Sequence, residues 1–182
     1  VVRSATIELG ARRYLQFEGG LLHGLNVDAA LYRVKVENEP MPYNGGRFYL
    51  TAGEVQRSGL ELALAGYFGA GVTARLAGTF SHNEYDRYVI DSTYLGAPGA
   101  TADFSGNDQA GLPGRVVNAS VQWQPTMLSW LSLELGAQHN SDYFADDRNA
   151  VEVPGFTVLR ASAAAEKAHG GGLLMKAPIA EG

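Results

Sequence analysis

Chemical reach in this chain rests on few residues. There is no cysteine, so thiolate zinc sites and cysteine nucleophiles are excluded. The histidines are His23, His82, His139 and His169. His139 lies three residues before Asp142, and on a strand that spacing points the two to opposite faces. They read as a strand-end histidine and a separate carboxylate rather than a metal pair. Asp103, Asn107 and Asp108 in DFSGND offer the oxygen ligands calcium takes, but without the EF-hand spacing. An Asp/Gly loop turn is the simpler reading. Adjacent Asp146 and Asp147 diverge and do not form a glycosidase pair. Ser, His and Asp are too scattered for a triad. Asn118-Ala-Ser is a formal glycosylation sequon placed mid-strand, where no use is expected. The residues best suited to hold a ligand are tyrosines and arginines in two long segments. Tyr43, Arg47, Phe48 and Tyr49 occupy one; Tyr85, Arg87, Tyr88 and Tyr94 occupy the other. Arginine supplies charge and two-point hydrogen bonds to an anion, and tyrosine stacks and donates. The plainer alternative is that these residues cap loops and pack against neighbouring loops or whatever surrounds them. The expected chemistry is recognition, with no enzyme activity and no cofactor.

The elements that must position these residues are strands. A period of two recurs along almost the whole chain. Ala5, Ile7, Leu9 and Ala11 alternate with Thr6, Glu8, Gly10 and Arg12. Tyr32, Val34 and Val36 alternate with Arg33, Lys35 and Glu37. Leu60, Leu62 and Leu64 alternate with Glu61, Ala63 and Ala65, and Val72, Ala74, Leu76 and Phe80 follow with Thr73, Arg75 and Thr79 between. Val117 to Trp123 and Leu131 to Ala137 repeat the pattern, and FTVLRASA after Pro154 repeats it more weakly. Residues 25–31 are out of phase with 32–37, which predicts a bulge or a change of environment. Connections alternate between short (18–24, 66–71, 125–130) and long (38–53, 84–114, 141–153). Phe17, Tyr67, Phe68, Phe80, Trp123 and Trp130 fall near strand ends.

Composition narrows the classes. The chain has 182 residues, 14 Lys+Arg against 19 Asp+Glu and a net charge of −5, with no cationic run, so a nucleic-acid partner is not expected. Apolar runs are too short for a transmembrane helix. The chain opens VVRSATIELG, with neither Met nor a signal peptide, and is expected to be a piece of something longer. Alternation alone does not say whether the apolar face meets lipid or a protein core. A soluble lipocalin-like barrel reads the same way, with its leucines lining one dry core. Unequal connections favour the membrane, because outer-membrane barrels have short turns at one end and long loops at the other. A small self-contained outer-membrane barrel with a structural or adhesive role is the other alternative. The polar set Arg33, Lys35, Glu61, Arg75, Gln122 and Glu134 is expected to face the lumen, with Glu61 and Arg75 close enough to pair.

Five segments in order carry a family resemblance. ATIELGARR resembles the "E-x-G" strand of TonB-dependent outer-membrane receptor barrels, and LNVDAALYRVKVENE its next strand. AGEVQRSGLELAL, with Gly53, Gly59 and Glu61, resembles the "aG…rGvE" strand. AGLPGRVVNASVQWQP and NSDYFADDRNAVEVPGFTVLRASA resemble two further segments, and the matches span residues 4 to about 163. The resemblance implies an all-β fold: an antiparallel up-and-down transmembrane β-barrel, here a partial barrel of about seven strands from a larger barrel of about 22. Residues 1–166 would be partial barrel and 167–182 an atypical Gly/Ala-rich tail, with the plug domain absent. It further implies a bacterial outer-membrane location and import of a ferric siderophore or similar metal chelate. The implied partners are outer-membrane lipid, the iron chelate, and the TonB complex reached through the missing N-terminal region. In such receptors Tyr43, Arg47, Tyr49, Tyr85, Arg87, Tyr88 and Tyr94 would sit in the ligand-binding extracellular loops.

Overall fold

The computed structural model describes residues 1–43, 48–90, 99, 101–166 and 177–179, without the side chains of 41–43, 48–52 and 177–179. The strands in chain order are β1 (Arg3–Gln16), β2 (Leu22–Tyr43), β3 (Phe48–Phe68), β4 (Val72–Arg87), β5 (Val89–Ile90), β6 (Ala102–Asp103), β7 (Arg115–Trp123), β8 (Leu131–Asn140), β9 (Tyr143–Phe144), β10 (Glu152–Val153), β11 (Phe156–Ala165) and β12 (Ala177–Ile179). Seven long strands form one antiparallel meander, β1-β2-β3-β4-β7-β8-β11, with short β12 from the tail added beyond β11. The sheet is an open, unclosed stretch of barrel wall. β5–β6 and β9–β10 are small hairpins set in the two longest connections.

Register fixes the faces, because directly opposed residues in an antiparallel pair share one. Leu31 opposes Leu9 and Leu60; Leu62 opposes Ala29 and Gly78; Leu76 opposes Leu64 and Ala119; Leu135 opposes Val121 and Ala161. One apolar belt therefore crosses all seven strands. Ile7, Leu9, Leu135 and Leu159 are each about two-thirds or more exposed (76%, 73%, 66% and 69%). The described buried apolar residues are Val55, Tyr85, Tyr88, Ile90 and Phe104, none of them in the belt. These leucines line no dry core, which removes the lipocalin-like alternative. A belt this wide is stable against lipid and not against water. Arg13 shares the belt's face near the β1–β2 turn, where a long side chain reaches the interface.

The phase change in β2 contains no bulge. Pairing with β1 and β3 runs unbroken from Gly24 to Glu37. The environment changes instead. Leu31 shares its face with Arg33 and Lys35, and Arg33, Ser58 and His82 form a directly opposed row just beyond Leu31, Leu60 and Phe80. Arg33 and Lys35 thus continue the outer, leucine-bearing face above the lipid, which corrects their expected lumen-facing placement. Their alternates Val34 and Val36 turn to the opposite face.

Two boundaries also differ from expectation. Residues 38–53 are largely strand: β2 and β3 stay paired through Tyr43 and Phe48, with register shifts around Glu39. β1 reaches only to Arg3 opposite Glu37, so Pro40 and Pro42 lie where β2 has one neighbour and a missing N–H is tolerated. The β3–β4 connection is tighter than expected, Gly69–Gly71 alone. Gly71 has φ +76°, and a Cβ there would run into the Gln124 carbonyl oxygen, so glycine is required. At the same end, the Trp123 indole donates to the Ala70 carbonyl at 3.1 Å, and Trp130 is half exposed. Tyr67 instead lies on the polar face, where its hydroxyl accepts from Asn26 at 3.1 Å.

Candidate functional site

Above β7 the wall is completed by loop backbone. β4 continues to Arg87, but β7 begins opposite Phe80. Residues 107–114 take the vacant edge: Tyr85 N–H donates to Asn107 O (2.9 Å), Gln109 N–H to Asn83 O (2.9 Å) and Ser81 N–H to Gly114 O (2.8 Å). Gly111 N–H then donates to Phe144 O at 2.8 Å, which carries the ladder on to β9. Edge groups that would otherwise be unpaired are satisfied.

The same loop folds over the polar-face side of the wall. Beyond the lipid level this side becomes apolar, with Val36, Val55 and Tyr85 packing against Tyr88, Ile90, Ala102 and Phe104 of the loop. The ring centroids of Tyr85 and Tyr88 are 4.9 Å apart, and those of Tyr88 and Phe104 are 5.3 Å apart in an edge-on arrangement. Both tyrosine hydroxyls donate to Asp147, at 2.5 Å from Tyr85 and 3.4 Å from Tyr88. Asn107 Nδ2 donates to the Asp147 carbonyl at 2.8 Å. Asn149 accepts from Asp108 N–H at 2.8 Å and donates back to its carbonyl at 2.9 Å. Asp146 receives the amides of Ala150 and Val151 at 3.0 and 2.8 Å. Arg57, on the polar face, donates to Gln109 at 2.8 Å and pairs with Glu39 at 2.7 Å. The two longest connections are thereby one assembly at the upper rim of the sheet.

Burial, reinforced by the Asp147 carboxylate, pushes the Tyr85 hydroxyl far above its ordinary value and that of Tyr88 up to about 12. A raised folded-state value means that this packing contributes fully below the unfolded tyrosine value near 10. It is lost as pH rises through about 12. An ultraviolet titration of the folded protein should show two of the nine tyrosines ionising only above the rest, and Asp147→Asn should move them down. Ionisation of all nine together near pH 10 would contradict this packing.

The sequence candidates separate into groups. Tyr43 and Tyr49 stand in β2 and β3 with side chains outside the described set, and Arg47 and Tyr94 lie outside the described residues. Tyr85 and Tyr88 are 4% and 1% exposed. Their rings pack the loops, so they are not offered to a ligand, a correction to their expected role. Arg87 is drawn to Glu54 at 3.1 Å, and Lys35 bridges Glu54 (3.4 Å) and Asp86 (3.0 Å). That network starts from the outer face rather than the loop interior. Hydrogen bonds to those carboxylates hold the Lys35 ammonium above its usual range.

Glu61, Arg75, Gln122 and Glu134 lie on the face opposite the leucines. Glu61 opposes Thr79 whereas Arg75 opposes Ala65, four residues along, so the expected Glu61–Arg75 pair does not form. Arg75 donates to Gln122 (3.2 Å), Gln122 to Ser132 (3.1 Å), and Arg160 to Glu134 (3.4 Å). Arg12 pairs with Asp28 on the same face. This polar ladder lines what is the lumen side of a closed barrel. A polar cleft of about 240 Å³ near the rim is lined in part by His82, Asp108, Arg115, Asp142 and Glu152. Among the described residues no three His, Cys, Asp or Glu side chains are grouped to hold a metal. His139 bonds Thr157 at 3.0 Å, and Asp103 accepts the Ser105 amide at 3.0 Å as a loop turn would. Hydrogen bonds from the Ser105 hydroxyl and then its amide draw the Asp103 carboxyl below its usual value. Asn149 and Arg57 escaped the sequence reading, and Asp147 and Asn107 entered it only as a carboxylate-pair and a calcium candidate that it set aside. The only signal was the Asx-rich character of SGND and DDRN, which marks turns but not their mutual contact.

This architecture of long strands, polar inner face, short turns and folded rim loops defines a segment of large outer-membrane-type barrel. Residues 2–167 match the family model described as TonB dependent receptor-like, beta-barrel. The chain belongs to that family. Solved structures agree in fold. The ferric yersiniabactin uptake receptor FyuA from Yersinia pestis superposes with TM-score 0.65 at 17% identity, over 90% of this chain and 22% of that one. The siderophore receptor PiuA from Acinetobacter baumannii gives 0.63 at 21%, over 89% and 22%. The ferric citrate transporter FecA gives 0.65 at 18%, over 91% and 24%. The chain thus spans about a quarter of the length of these relatives. No curated protein matches the sequence.

Proposed function

We propose that this chain forms part of the barrel wall and outer mouth of a bacterial outer-membrane receptor that imports a ferric siderophore or similar metal chelate, energised by TonB. The carrying observation is the rim: two connections folded over the lumen side and locked to each other, above a polar ladder that runs down the wall. Such a rim walls a vestibule for a bulky ligand, and the ladder offers a wet path below it. FyuA is named a ferric yersiniabactin uptake receptor, PiuA a siderophore receptor and FecA a ferric citrate transporter, which supports an iron chelate as the ligand class. Transport of this kind needs differential binding between plug and barrel states and no covalent chemistry, so the chain acts without enzyme activity. Tyr43, Arg47, Tyr49 and Tyr94 are the remaining aromatic and cationic candidates for ligand contact.

The test is uptake of radiolabelled ferric chelates by cells making the receptor that contains this chain. Accumulation should require an intact TonB system, while surface binding persists without it. Arg47→Ala should weaken chelate binding about tenfold, the loss of one charge-assisted hydrogen bond. Uptake that is indifferent to TonB, or no binding of any iron chelate, would reject the proposal.

A further inference from the structure

Just above the lipid level, His82 stands on the leucine-bearing face of β4, opposite Ser58. Both of its ring nitrogens meet carboxylates. Nε2 lies 3.1 Å from Glu84 Oε2, and Nδ1 lies 3.8 Å from Asp108 Oδ1, within ion-pair range. An ionised carboxylate only accepts hydrogen bonds, and a neutral imidazole has a single N–H to give. One nitrogen of a neutral ring must then present its lone pair to a carboxylate. Only the doubly protonated ring suits both partners. The two carboxylates belong to different parts of the structure. Glu84 is in β4 and receives Gln56 of β3 at 3.4 Å. Asp108 is in the loop strip that completes the wall, paired with Glu84 across the strand edge. Its amide and carbonyl are taken by Asn149 of the other long connection, which leaves its side chain to meet His82. The other charged or titratable groups around the ring are Arg33 on β2 beyond Ser58, Arg115 at the start of β7, and Asp142, Tyr143 and Glu152 across the adjoining cleft. Carboxylates outnumber guanidinium groups in this set, which favours a further cation at its centre.

We propose that His82 is a proton-operated clasp, which when charged ties the top of β4 to Asp108 and through it holds the two long connections on the wall. The working range follows from the residue type, since histidine is the side chain whose charge changes between about pH 5 and pH 8. The sign follows from the contact. The charged ring attracts Asp108 and the neutral ring does not, so the rim is held more firmly at the acid end of that range. The His82 side chain is 64% exposed, so the effect is that of one surface ion pair, a bias on the rim rather than a change of fold. The proposal goes beyond chelate import and needs only the rim assembly described above.

The experiment is hydrogen exchange on the receptor containing this chain, folded into lipid bilayers with no iron chelate present. Rates are compared at about pH 5 and about pH 8, each divided by its intrinsic value at that pH. Residues 105–111 should be about threefold better protected at the lower pH, the scale of one exposed ion pair. His82→Gln keeps a polar side chain that cannot charge, and should abolish the pH dependence. Asp108→Asn removes the carboxylate but keeps the backbone bonds to Asn149, and should abolish it too. His139→Gln, at a ring bonded to Thr157 instead, should leave it intact and so control for histidine titration elsewhere. Equal protection at both pH values, greater protection at the higher one, or a pH dependence that survives in His82→Gln or Asp108→Asn would each overturn the proposal. Because no chelate is present, that failure leaves the transport reading standing.

Discussion

Replacing Leu62 with Arg should destabilise the folded wall by about 2–4 kcal/mol, while Ala63→Arg one residue along should cost about 1 kcal/mol or less. Leu62 opposes Ala29 and Gly78 at the middle of the apolar belt, with Leu60 and Leu64 above and below it on the same face. An arginine there must either enter hydrocarbon or snorkel past a full row of leucines. Ala63 points to the polar face, near Asp28 and Thr79 around a wet cleft. A cation there meets water and carboxylates. Urea titration of the receptor folded into lipid bilayers would measure both variants. If the two cost the same, the assignment of faces is wrong. If Ala63→Arg is the more damaging, the sheet is inside out and the leucines face a core.

That contrast rests on a pattern legible in the residues, and the same pattern explains where the reading failed. Leu60 to Leu64 and Leu131 to Ala137 alternate against polar neighbours across one lipid layer, so strand identity and face follow directly. At Arg33 the alternation continues but its meaning inverts. Outside the lipid the outer face is wet, so Arg33, Lys35, Glu54 and His82 occupy it. The inner face is covered by loop, so Val34, Val36, Val55 and Tyr85 turn that way. Periodicity reports which residues share a face, not which medium that face meets, and the medium changes along a strand of 22 residues. Residues 38–53 failed for a related reason. Their Pro, Gly and Asn content marks loops in isolation, yet each arm finds a partner in the other. Gly59 was legible as part of a motif, but not its cause. A Cβ there would lie 2.7 Å from both the Phe80 carbonyl oxygen and the Tyr32 hydroxyl, so only glycine lets the ring lie across β3.

The rim lock was the least legible part and carries the other large expected effect. Asp147→Ala should open the two longest connections together, at a local cost of about 2–5 kcal/mol, and leave the strands in lipid unaffected. Asp147 is the acceptor for two hydroxyls on rings that are 4% and 1% exposed. Removing it leaves buried donors unpaired at about 1–3 kcal/mol each. The effect should cross between segments far apart in sequence, because Asn107, Asp108 and Tyr88 all rely on residues 147–149. Hydrogen exchange should therefore speed up in 85–90 and 102–111 as well as in 141–153, with protection unchanged at Leu60–Leu64 and Leu131–Ala137. Tyr85→Phe/Tyr88→Phe in the Asp147→Ala background should recover much of the loss, since removing both partners of a buried hydrogen bond is close to neutral. No recovery would mean that the loss does not come from the unpaired tyrosine hydroxyls. Faster exchange confined to 141–153 would show that the two connections are independent. The rim would then lack the rigidity that the proposed vestibule requires.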